Sequence, residues 1–193
     1  MAILAALWSG SAFAHLVSLR FGDFYSGMLH PLTALEHASA FLVAGMLLGL
    51  RDAPALRAAI VGLPLAVGAG VWLGMELSGE WDFTLVNFVS LIVLGTAVAL
   101  ARRWWTGLVL VILVAFGLTH GFANGTAFVQ GGDAWLFVLG VTTSSYLVVT
   151  LVAGLCRALL ANRPAMIGVR ALASWISAVG IMMLGLSVMA PTT

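Results

Sequence analysis

Lysine is missing from this 193-residue chain, and all eight basic residues are arginine. Charge of either sign is scarce: 8% of the residues carry it, where a soluble domain has about 25%. Such a chain cannot surround a core with a water-facing surface. Its net charge of +1 offers no basic face to nucleic acid and no acidic tail to a cationic partner. The single cysteine, Cys156, rules out an intramolecular disulfide, and with so little thiolate a copper(I) or iron–sulfur site is disfavoured. No Gly-x4-Gly-Lys-Ser/Thr phosphate loop occurs, so direct use of ATP is not expected.

Long apolar runs fill the space that charge leaves, with 62% of the residues hydrophobic. Crossing a bilayer takes about 20 apolar residues in a helix. The expected fold class is an all-α membrane protein, a single bundle of about six transmembrane helices over residues 15–193, with spans near 31–50, 56–77, 83–101, 104–119, 134–156 and 169–190. Each break carries its own punctuation: Arg51-Asp52-Ala53-Pro54, Ser78 to Asp82, Arg102-Arg103, the glycine-rich stretch Gly121 to Gly132, and Arg157 to Pro164. The arginines fall in or beside alternate loops, with Arg20 the one exception, and the excess of positive charge marks those loops as cytoplasmic. Both termini and the loops at 78–82 and 120–133 are then expected on the outer side of the membrane, the periplasmic side if that membrane is a bacterial inner one.

Residues 1–14 end in Ala12-Phe13-Ala14, a small-residue cleavage pattern after an apolar run too short to span. A cleaved signal peptide is the expectation, although the usual positive n-region is missing; the alternative is an uncleaved anchor. Cleavage would leave His15 first, its amine and ring forming a chelating pair. Small residues recur at helix-packing spacing in Ala34/Ala38, Gly45/Gly49 and Gly70/Gly74, where they let helices approach closely.

Ionisable groups inside a span need a reason, because each charge costs about 2.5–3.5 kcal/mol on insertion scales. Five lie toward the outer side: His30 before the first span, Glu36 and His37 within it, Glu76 near the end of the second and His120 at the end of the fourth. Pro31 reads as the first turn of a helix, which puts His30 just outside it. On one continuous helix His30 and His37 would stand about 10 Å apart along the axis, too far for one ion without a local break. Imidazole and carboxylate suit nickel, cobalt, copper or zinc as divalent ions. They also suit a proton relay, or polar bonds between helices, and the spacing alone leaves all three open. Asn124 and Asp133 are weaker candidate ligands, read as residues of a solvated outer loop.

The segment Phe24 to Phe41, with His30, five residues, then Glu36-His37, resembles the first motif of the HupE/UreJ family of bacterial nickel permeases. His120-Gly-Phe-Ala-Asn124-Gly resembles the family's second motif, His-Gly-x-Ala-His-Gly-x-Glu. The resemblance implies a permease that takes up nickel, or cobalt, across the inner membrane for a hydrogenase or urease, with its motif residues His30, Glu36, His37 and His120 in the metal site; Glu76, outside both motifs, joins that metal site on its position in the outer half of the second span alone. It also implies the lipid bilayer as surroundings, with metalloenzyme maturation proteins or a second copy of the chain as the protein partners to expect. An enzymatic role is not expected, since no recognised catalytic motif is present. Three departures from the family pattern bear on the substrate rather than on the scaffold. Glu36 replaces an aspartate, Asn124 and Ala127 stand where a histidine and a glutamate would, and Tyr146 occupies a place where relatives often carry histidine. A non-transporting metal-binding subunit with the same fold is the alternative.

Overall fold

The computed structural model describes residues 22–101 and 105–189; the signal segment, His15, Arg20, Arg102 and Arg103 lie outside that range. The described residues form seven helices and no strand. In chain order these are α1 (Asp23–Thr33), α2 (Leu35–Gly49), α3 (Ala53–Glu76), α4 (Thr84–Ala99), α5 (Thr106–Gly125), α6 (Ala134–Ala158) and α7 (Arg163–Met189). Four of them, α3, α5, α6 and α7, are long and apolar enough to cross a membrane. The bent pair α1–α2 makes a fifth candidate span, and α4 is a shorter apolar helix of 16 residues. The fold is therefore an all-helical membrane bundle, and the expected count of six spans is approximate.

Two of the differences from the expected boundaries matter to the site. The expected first span is broken. Pro31 does not start a helix but lies inside α1, which ends at Thr33; Ala34 is extended (φ −88°, ψ 116°), and α2 leaves at 79° to α1. Proline lacks the N–H that would bond back one turn, and the Thr33 hydroxyl, with one hydrogen to donate, lies 3.1 Å from both the Leu29 and the His30 carbonyls in the last turn of α1. The expected fourth span, in turn, does not stop before His120 but runs on to Gly125. The glycines that read as loop residues let α5 lie against α3. A Cβ on Gly121 would meet the Val67 carbonyl, and one on Gly125 the Val71 carbonyl; from the other side, Gly70 and Gly74 face Leu118 and Phe122. In lipid, where apolar burial does not drive association, such backbone-to-backbone contact is what holds helices together.

The helices pair off: α3 with α5, α4 with α7, and the broken helix α1–α2 with α6. Gly27 and Gly140 bring α1 against α6, while Gly45 and Gly49 bring α2 against Val149 to Cys156 of α6. From Ala40 onward α2 is apolar around its whole circumference and accordingly buried, with Ala40, Phe41, Val43, Ala44, Leu47 and Leu48 inside the bundle. The described arginines gather at one end. Arg51 follows α2, Arg57 lies early in α3, Arg157 is near the end of α6 and Arg163 begins α7, while Arg170 reaches from α7 to the Ala99 carbonyl at the end of α4. Since the helices alternate in direction, the start of α2 and the end of α5 lie toward the opposite end.

Candidate functional site

The break at Ala34 brings His30 and His37 together. His30 sits in the last turn of α1 and His37 in the first turn of α2, and their ring centres are 5.9 Å apart. A continuous helix would have kept them separate. His120, one and a half turns before the end of α5, adds a third ring 6.0 Å from that of His37. All three are buried, His120 completely. An imidazole nitrogen binds a first-row ion at about 2.1 Å, so two rings sharing one ion have centres up to roughly 6.4 Å apart. The neighbouring pairs fall within that reach. As the side chains stand, no three His, Cys, Asp or Glu groups among the described residues converge on a single point.

Each of the three rings keeps its Nδ1 buried without a hydrogen-bond partner. Buried polar atoms normally find partners, so three orphans on adjacent rings ask for an explanation. Glu36 is half-exposed beside them, its Oε1 3.4 Å from His37 Nε2, and lies in the first turn of α2, where a carboxylate complements the helix dipole. Around His120 the polar groups form a network. Ser90 Oγ is 2.9 Å from His120 Nε2, and the Asn87 side-chain amide donates to the Thr119 carbonyl at 3.3 Å. The Asn124 amide donates to the His120 carbonyl at 2.8 Å.

Four of the expected site residues thus come together: His30, Glu36, His37 and His120. Asn124 is adjacent, but it is not a solvated loop residue. It is fully buried within α5, with Oδ1 unpartnered. Glu76 ends α3 exposed and takes no part in the hydrogen bonds and ring contacts that link the histidines. Asp133 is also exposed, and its carboxylate caps α6 by accepting from the Leu136 N–H at 3.1 Å. Asn87 and Ser90 escaped the sequence reading. Their one signal was polarity three residues apart, on one face of an otherwise apolar span.

A family model described as HupE / UreJ protein matches residues 3–183. Comparison with curated proteins and with solved structures finds no match. That match covers nearly the whole length of an all-helical, multi-pass membrane chain, which therefore belongs to the HupE/UreJ family, a transporter family associated with nickel and cobalt.

Proposed function

We propose that the protein is an inner-membrane permease for a divalent transition-metal ion, nickel or cobalt, which is its substrate. The observation that carries this reading is the trio of buried, unpartnered Nδ1 atoms on His30, His37 and His120, supplied by three helices. Neutral imidazole nitrogens are good ligands for these ions, and Glu36 adds the carboxylate that offsets the ion's charge. The broken helix supports the same reading. Interrupted helices within a bilayer are tolerated where they are enclosed by protein or line a cavity, and transporters place their substrates at such breaks.

With the arginine-bearing end read as cytoplasmic, the ion enters from the opposite, periplasmic side and leaves past the arginines. It exchanges water for imidazole and carboxylate, and no group on the chain points to ATP as the driving force. A second reading, a metal-binding subunit that does not transport, draws support from Asn124 and Ala127 standing where the family motif has ligands. Nickel and cobalt accumulation by cells expressing the protein separates the two. The permease reading expects uptake above the empty vector that His37→Ala removes. Uptake equal to the vector, with nickel still bound by the purified protein, would leave the subunit reading standing.

A further inference from the structure

We infer that Ser90 is the positioning residue for His120, fixing the tautomer in which Nε2 carries the hydrogen and Nδ1 keeps its lone pair. The hydroxyl of Ser90 has one hydrogen, which we assign to the Asn87 carbonyl one turn back, the nearer of its two partners at 2.7 Å and one that can only accept. Toward His120 Nε2, 2.9 Å away, Ser90 can then only accept. The ring must donate from Nε2, and its one remaining nitrogen is the buried, unpartnered Nδ1. The opposite tautomer would bury an N–H with nothing to accept it. In the assigned tautomer the orphan is a lone pair, which a cation can satisfy.

The surroundings hold this arrangement in place. Phe116, one turn earlier on α5, packs its ring 4.3 Å from that of His120 at 39°. The Asn87 amide binds the backbone of α5 at Thr119, and the Asn124 amide binds it at His120. Helices α4 and α5 each pack chiefly on another partner, α7 and α3, so Ser90 and Asn87 tie one helix pair to the other at the histidine. Metal-binding histidines are characteristically held in this way, with the nitrogen away from the ion engaged by an outer partner that sets ring orientation and basicity. The consequence for ion affinity rests on the function proposed above; the tautomer of the ion-free protein does not.

The test is long-range proton–nitrogen NMR of the protein in detergent micelles, labelled with nitrogen-15 histidine. The chain has four histidines, and loss of one ring signal set in His120→Gln assigns the ring. The expected result is the Nε2–H form for His120 in the ion-free wild type. In Ser90→Ala that form should give way to a mixture, and Ser90→Thr, which keeps the hydroxyl, should restore it. Nickel affinity should fall about tenfold in Ser90→Ala, the lower range for loss of an outer-shell partner. Should Ser90→Ala not fold, Ser90→Cys, close in volume and a poorer acceptor, replaces it. A wild-type His120 in the Nδ1–H form overturns the inference, as does an Nε2–H form unchanged in the variant that lacks the hydroxyl. If the tautomer responds as stated but the wild type neither binds nor takes up nickel, the permease reading fails and the positioning role stands.

Discussion

The two ends of the bundle handle their polar groups in opposite ways. At the arginine end, cationic groups are spent on structure. Arg157 Nη1 donates to the Arg51 carbonyl just past α2 at 2.8 Å, and Arg170 Nε donates to the Ala99 carbonyl at the end of α4 at 2.7 Å. Both place positive charge on helix C-termini, where exposed carbonyls and the helix dipole favour it. At the histidine end, groups that are far better buried are left open: three ring nitrogens, and the Oδ1 atoms of Asn87 and Asn124, have no partner. At one end Arg157 and Arg170 close on the protein's own backbone, whereas at the other the ring nitrogens stay unsatisfied, an opening that the proposed substrate ion would fill.

The largest effect expected from this contrast is on transport. His120→Ala should bring nickel uptake by expressing cells down to the vector level, while Arg157→Ala at the other end should leave uptake measurable. Equal losses in the two would erase the distinction. Next in size is packing. Gly121→Ala puts a methyl group into the Val67 carbonyl beside His120 and should cost about 1–3 kcal/mol in a denaturation assay. Gly154→Ala, on α6 where nothing lies within 4 Å, is the matched control and should not destabilise. A smaller loss, about 0.3–1 kcal/mol, is expected for Arg157→Ala from the removed cation at a helix terminus. The smallest effect concerns Asp82, in the turn before α4. The Thr84 side chain and its backbone N–H, the latter 2.8 Å from Oδ1, hold that carboxyl below its ordinary value. Because the folded value is the lower one, Asp82 supports the fold above the unfolded value. That support is lost as pH falls through the folded value. Melting temperatures of wild type and Asp82→Ala should therefore differ slightly at neutral pH and converge in strong acid.

Much of the bundle was legible in the sequence because lipid imposes simple rules. Apolar length marked α3, α5, α6 and α7, and Arg51, Arg157 and Arg163 marked the end at which helices turn. What escaped followed from local ambiguity. Pro31 is at home in a first helical turn, so it read as a beginning; the helix in fact runs through it to Thr33, packed along α6. Gly121 and Gly125 read as loop residues on the habits of soluble proteins, yet in a membrane they are contact surface. His30, Glu36, His37 and His120 stood out by cost alone. Ser90 and Asn87 did not, because a serine or an asparagine in a span is cheap enough to pass as packing, and their role lies in a partner 30 or more residues away.

The measurement that bears most directly on the central claim is X-ray absorption at the nickel edge on purified protein loaded with one equivalent of nickel. The account predicts a nitrogen and oxygen first shell with the outer-shell scattering of two or three imidazoles, which disappears when His30, His37 and His120 are replaced together. A first shell without imidazole, or one unchanged in that triple variant, would contradict it.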